Sequence, residues 1–292
     1  MKLLRFGAAG EEKPGLIDAQ GRVRDLSSVV PDINGDLLND RAIAGLAAVD
    51  TSSLPVVAEG ARLGPCVANV GKFVCVGLNY SDHAAESGMD VPEEPVLFFK
   101  ATSAICGPND DTIIPRGATK TDWEVELGVV IGSEARYVSI ADAMKHVAGY
   151  CVVNDLSERA FQMERGGQWV KGKSADTFGP IGPWLVTRDE VPDPHNLNMW
   201  LEVDGVRRQD GNTRTMIFKV PEIVSYISQF MSLQPGDVIS TGTPPGVGLG
   251  IKPEPIYLHA GQTMHLGIDG LGEQHQRTVA EHEFTRAEEA TR

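Results

Sequence analysis

The sequence predicts a mainly β, α+β fold with few helices, and three observations carry that prediction. Trp123 to Gly132 (W-E-V-E-L-G-V-V-I-G) is an apolar run rich in β-branched residues that stops on glycine, as a strand does. Val147 to Leu156 (V-A-G-Y-C-V-V-N-D-L) reads as a second buried strand. Against these stands one clear helical stripe: after Pro221, residues Ile223, Tyr226, Ile227 and Phe230 recur at helical spacing up to Leu233. That stripe reads as core packing.

The remaining elements follow in order. Residues 1 to 68 suggest short strands at 3–6 and 15–18 and a helix near 36–48, without a chemical motif, and read as a small N-terminal domain. The larger domain, 69 to 292, starts with a short apolar strand, F-V-C-V-G at 73–77. Ser139 to Asp142 suits the start of a short capped helix, and Asp204-Gly205 signals a hairpin turn. Pro235 to Gly248 reads as a strand that enters a Gly/Pro-rich loop, and the last dozen residues as a charged, frayed tail.

Bulk properties exclude several classes. Nothing in the 292 residues approaches the roughly 20 apolar residues of a membrane span, and M-K-L-L-R-F is no signal-peptide core. The expectation is a cytoplasmic protein with no membrane partner. Cys66, Cys75, Cys106 and Cys151 lack paired metal spacing, and Cys75 and Cys151 fall in apolar strands as buried free thiols would. A net charge of −14 argues against nucleic-acid binding. It also means that an anionic substrate needs a locally positive site.

The chemistry centres on acids in apolar strands. Side chains alternate along a strand, so Glu124 and Glu126 share one face, and Asp155 lies near the end of the second strand. Two carboxylates about 4 Å apart repel by roughly 4 kcal/mol at an effective dielectric near 20, a cost a cation removes. An all-oxygen set of three carboxylates suits Mg²⁺ or Mn²⁺, with Ca²⁺ as a further candidate. His83 and Glu86 are three apart, so on a helix they share a face as a general-base pair. Arg159 and Gln162 share a face in the same way, and Gly166 to Ser174 is a glycine-punctuated loop containing Lys173. Trp169 and Trp184 are candidates for a pocket wall or for the core. Gly246-Val-Gly248-Leu-Gly250 lacks the spacing and following helix of a dinucleotide loop. His146, His195, His259, His265, His275 and His282 show no ligand-like spacing and read as surface or structural.

Taken together, these blocks resemble the fumarylacetoacetate hydrolase family. The matching segments are V-G-L-N-Y-S-D-H-A-A-E (76–86), P-V-L-F-F-K (95–100), W-E-V-E-L-G-V-V-I-G (123–132), N-D-L-S-E-R-A-F-Q (154–162), K-G-K-S-A-D-T-F-G-P-I-G-P-W (171–184) and T-G-T-P-P-G-V-G (241–248). The resemblance implies a mixed β-sandwich roll, preceded by the small N-terminal domain. It implies a divalent metal on Glu124, Glu126 and Asp155, and a water-activating dyad of His83 and Glu86 on a closing lid. It also implies that Lys173 is catalytic, that Tyr80, Arg159 and Gln162 lie near the substrate, and that Thr243 meets its carboxylate. Family members are commonly dimeric, so a homodimer is expected. Asn79 stands where the tyrosine-degradation enzyme that names the family aligns an aspartate, which points to the acylpyruvate-hydrolase branch.

The activity so implied is metal-dependent cleavage of a 2,4-diketo acid to pyruvate and a carboxylic acid. A 2,4-diketo-3-deoxy sugar acid of the rhamnonate or fuconate type is the first substrate, on resemblance across G-V-G-L-G-I-K-P and L-G-I-D-G-L-G-E-Q. Fumarylpyruvate comes next. Oxaloacetate decarboxylation shares the same enolate, and a non-catalytic, metal-stabilised domain is the alternative from another class.

Overall fold

The computed structural model describes residues 1–82 and 91–283. Two large sheets dominate it. The first runs in the order Val23–Asp25, Lys13–Ile17, Lys2–Phe6, Gly179–Thr187, Val147–Asn154, Val125–Ile131, Val238–Ser240, Phe73–Gly77, Val96–Lys100, and Ile105–Cys106 pairs with Gly179–Thr187. The second orders Val206–Asn212, Asn198–Val203, Thr263–Ile268, Gly272–Ala280 and Thr112–Ile114. Parallel and antiparallel neighbours mix in both. The expected mainly β architecture with few, short helices is the one observed.

Val125–Ile131 and Val147–Asn154 are buried on both faces, which explains their continuous apolar sequence. One face, with Val125, Leu127, Val129, Tyr150 and Val152, packs with Met199, Leu201, Met264 and Leu266 of the second sheet. The other, with Val130, Cys151, Val153, Phe73, Cys75 and Val238, packs with Leu3, Leu16, Leu26 and Ile33 from the N-terminal segment. The first three strands join the central sheet directly: Lys2↔Val186 and Leu3↔Leu185 are antiparallel partners.

Several sequence expectations are refined. The helix expected over 36–48 is a 3₁₀ turn, Gly35–Leu37, then Asp40–Ala47, because Asn39 caps a new start by accepting from Ala42 N–H. The helix after Pro221 is Val220–Ile227. It ends too early to keep Phe230 in its stripe, so Ile223 and Ile227 are buried while Phe230 is 63% exposed against Tyr226. Asp204 and Gly205 both take positive φ, 49° and 74°, and close a two-residue turn between Val203 and Val206. All four cysteines are buried and free, and among the described residues no helix is long and apolar enough to cross a membrane.

Candidate active site

The site grows out of one sheet face. Along Val147–Asn154, Cys151 and Val153 point into the apolar layer shared with the N-terminal segment, and Asp155, two residues on, continues that side. Val153 pairs with Glu126 in register, and Asp155 N–H donates to Glu124 C=O, so the three acids arrive at one sheet end. Two neighbouring strands lose their apolar side chains toward the same end, where Cys75 gives way to Gly77 and Val238 to Ser240. Lys100 stands across from Phe73 in the next strand, and its long side chain carries the ammonium to Asp155. An apolar layer thus ends in a charged floor.

On that floor, oxygens of Glu124, Glu126 and Asp155 lie within 4.8 Å of one another, and all three residues are buried. Lys173 Nζ bridges two of them, 2.7 Å from Glu124 Oε2 and 2.6 Å from Asp155 Oδ2. Lys100 Nζ donates to Asp155 Oδ1 and to Leu156 C=O. Arg159 Nη2 reaches Glu124 Oε1 at 2.6 Å, and its Nε donates to Asp122 Oδ2 at 2.8 Å. Glu126 has no cationic partner among the described residues: Ser240 Oγ and Gly242 N–H donate to its Oε2 at 2.6 and 2.8 Å.

The electrostatics divide accordingly. Burial opposes ionisation of Glu124, but Lys173 and Arg159 outweigh it and hold the carboxyl at about 2. Burial, joined by the charges of Asp155 and Glu124, pushes Glu126 well above the usual glutamate range. Burial works against the Lys173 ammonium, yet Asp155 and Glu124 keep it above the ordinary lysine value. Glu126 is therefore the acid that lacks a counter-charge. A small cation between the three carboxylates would supply it, and the all-oxygen donor set suits Mg²⁺ or Mn²⁺.

A cavity of about 440 Å³ opens above this floor. Glu124, Glu126, Arg159, Gln162, Lys173 and Thr243 line its polar end, so the structure brings these expected residues together. Gln162 Oε1 accepts from Arg159 Nη1, one helical turn apart on Arg159–Met163. The segment expected as a loop around Lys173 ends in a short helix, Val170–Lys173. It seats against Arg159–Met163 because Gly172 has no Cβ: one would lie 2.5 Å from both Gln162 Cβ and Glu158 C=O. That contact aims Lys173 at the acids. Thr243 spends its hydroxyl within the protein, donating to Val125 C=O and accepting from Gln209 Nε2. Trp169 lines the cavity, edge-on to Phe98, whereas Trp184 packs beside the core.

Tyr80 is not brought to the cavity. It is fully buried with its hydroxyl on Met199 Sδ at 3.1 Å, because the chain turns inward at Asn79. His83 and Glu86 lie outside the described residues. Sequence reasoning missed Lys100 and Asp122. Lys100 was visible as a lone charge ending the apolar run V-L-F-F-K, and Asp122 as an acid just before W-E-V-E. Asp122 is a hub, accepting from Arg159, Trp123 N–H, Gly248 N–H and Leu249 N–H.

Residues 72–279 match the family model described as fumarylacetoacetate (FAA) hydrolase C-terminal. The chain belongs to this family. A Burkholderia cenocepacia (strain HI2424) protein with the provisional name of hydrolase is 66% identical over 278 residues, covering 95% of this chain and 99% of that protein. The fumarylacetoacetate hydrolase of Exiguobacterium antarcticum superposes with a TM-score of 0.84 at 36% identity, covering 96% of this chain and all of that one. Maleylpyruvate hydrolase from Sphingobium sp. SYK-6, in complex with manganese(II) and pyruvate, gives 0.79 at 29% identity, covering 96% and 99%. This fumarylacetoacetate hydrolase family member thus sits with the acylpyruvate-hydrolase-like branch, among enzymes.

Proposed function

We propose that this chain is a divalent-metal-dependent hydrolase that cleaves the C3–C4 bond of a 2,4-diketo acid, giving pyruvate and a carboxylic acid. The observation that carries the reading is the buried triad of Glu124, Glu126 and Asp155, bridged by Lys173, with Glu124, Glu126 and Lys173 lining the cavity. The three carboxylates would hold Mg²⁺ or Mn²⁺, which when bound supplies Lewis-acid stabilisation of negative charge on the substrate. That a related enzyme takes manganese and pyruvate together supports the same pairing here.

The chain's own groups then divide the work. His83, oriented by Glu86, takes a proton from water, and the hydroxide oxygen bonds to C4. The C3–C4 electron pair moves onto the pyruvate fragment as an enolate, and a proton returned to C3 completes pyruvate. Lys173, held as an ammonium by Asp155 and Glu124, stabilises the enolate oxygen. Arg159 and Gln162 face the substrate oxygens from the cavity wall.

The cavity also bears on the acyl group. Beyond the polar end it is walled by Leu78, Phe98, Met163, Trp169, Val247 and Leu249, with Lys252 as a further charged side chain. Such a wall offers a sugar chain few hydroxyl partners and suits an unsaturated arm of the fumarylpyruvate kind, whose terminal carboxylate Lys252 would meet. The test is pyruvate release from a panel of 2,4-diketo acids, sugar-derived and fumaryl or maleyl, beside oxaloacetate, with Mg²⁺ and Mn²⁺. Turnover of oxaloacetate alone would replace the reading with decarboxylation.

A further inference from the structure

The outer face of the second sheet assembles three side chains that the proposed chemistry does not use. His265 and His275 are direct cross-strand partners on Thr263–Ile268 and Gly272–Ala280. Their rings stack with centroids 3.9 Å apart and planes inclined by 20°. His265 Nε2 lies 2.8 Å from Glu273 Oε2. One ligand atom from each of His265, Glu273 and His275 falls within 4.8 Å of the others. Trp200 walls the group on one side, its ring 4.6 Å from His265 and near-perpendicular to it, with Arg207 over its face.

The spacing of ten residues looked unlike a ligand motif, but a hairpin converts it into one. Ile268 pairs with Gly272 across a three-residue turn in which Gly270 takes φ 79°, so positions equidistant from the turn meet. Two facing imidazoles plus a carboxylate form a donor set of a different kind from the three carboxylates of the cavity. Imidazole nitrogen favours borderline transition metals, whereas carboxylate oxygens serve Mg²⁺ and Mn²⁺.

We propose that His265, Glu273 and His275 form a second cation site, open to water, that takes a borderline transition metal such as Zn²⁺, Co²⁺ or Ni²⁺. The site clips two adjacent strands, and its position gives the clip a structural reach. His275 points outward between Gln274 and Gln276, which point inward. Gln276 Oε1 accepts from Asn154 Nδ2 at 3.0 Å, and Asn154 Oδ1 accepts from the backbone N–H of Glu124 at 3.1 Å. Gln274 Nε2 donates to Val152 C=O at 2.8 Å. A cation on the outer face therefore pins the strand whose inner face supports the carboxylate cluster.

The test titrates the full-length protein, held in saturating Mg²⁺, with Co²⁺, followed by calorimetry and by the visible absorption of the bound ion. The expected result is one Co²⁺ per chain, displaced by Zn²⁺. Removing a ligand should weaken binding about tenfold or more. His275→Ala and Glu273→Gln change exposed side chains and should show that loss, with Mg²⁺-dependent turnover unchanged. Asp155→Asn should leave it intact, which separates the outer site from exchange of Co²⁺ into the cavity. The proposal is overturned if no Co²⁺ binds at millimolar concentration, if binding is indifferent to both exposed substitutions, or if Asp155→Asn abolishes it.

Discussion

Lys173 and Asp155 meet at 2.6 Å with almost no solvent on either side chain, and the same ammonium reaches Glu124 at 2.7 Å. One lysine thus joins the two strand ends that carry the acids, and through Gly172 it is fixed to the helix carrying Arg159. Charge, geometry and backbone packing converge on that side chain.

Replacing it should cost both activity and stability. Lys173→Met takes one cation from two buried carboxylates that keep Lys100 and Arg159 as partners, so the loss should fall below the roughly 3–5 kcal/mol of a buried charge left wholly unpaired. We expect turnover to vanish and the urea midpoint of the metal-free protein to fall. An unchanged midpoint would mean that the bridge carries no net stabilisation.

Glu126→Gln should separate function from folding. It removes the acid without a counter-charge, so metal affinity and turnover should drop at least about tenfold, while the metal-free protein keeps its fold. The pH dependence has a definite sign. A carboxyl raised above its unfolded value binds more protons in the folded state, so its contribution falls as pH rises from about 4.5. The wild type should therefore lose more stability than the variant above that pH in EDTA. Parallel curves would contradict the assignment.

Metal removal should inactivate without unfolding. Lys100, Lys173 and Arg159 already pair with Asp155 and Glu124, so the site has internal compensation. Circular dichroism after exhaustive chelation should match that of the loaded protein; a collapse of the spectrum would assign the metal to folding.

Asn79→Asp addresses the branch-marking position. Asn79 Nδ2 donates to Thr241 C=O at 2.7 Å and Phe218 C=O at 3.1 Å, while Oδ1 accepts from Phe218 N–H. An ionised aspartate has no donor, so two carbonyls lose their partner, at a cost of about 1–3 kcal/mol for each buried group. Chemical denaturation reads the loss, and wild-type stability would show that the loops do not depend on this amide.

His83→Ala should lower hydrolysis of a diketo acid far more than any decarboxylation of oxaloacetate. Only hydrolysis needs an activated water, and loss of a general base costs about 10²- to 10⁴-fold. Equal losses in both reactions would make His83 a binding residue.

How much of this was readable in the sequence depended on whether a feature was local. Strand alternation put Glu124 and Glu126 on one face, and the apolar run placed Asp155 at the end of its neighbour. Lys100 escaped because its meaning comes from Asp155, 55 residues away. Tyr80 was expected near the substrate, but the Asn79 bonds to Thr241 and Phe218 turn it into the core. Phe230 kept the helical spacing while the helix itself stopped at Ile227. The pairing of His265 with His275 required the register of a hairpin, which spacing alone does not supply.

The way the N-terminal strands are attached has its own consequence. Lys2–Phe6 pairs with Gly179–Thr187, and Thr187 N–H also donates to Met1 C=O. A fragment that began at residue 69 would leave the Leu185–Thr187 end of this strand without its antiparallel partner and Leu185, Ile181 and Cys151 uncovered. An open edge beside a bared apolar layer is a template for strand addition. Truncating the chain would then trade solubility for self-association, however well the carboxylate cluster survived.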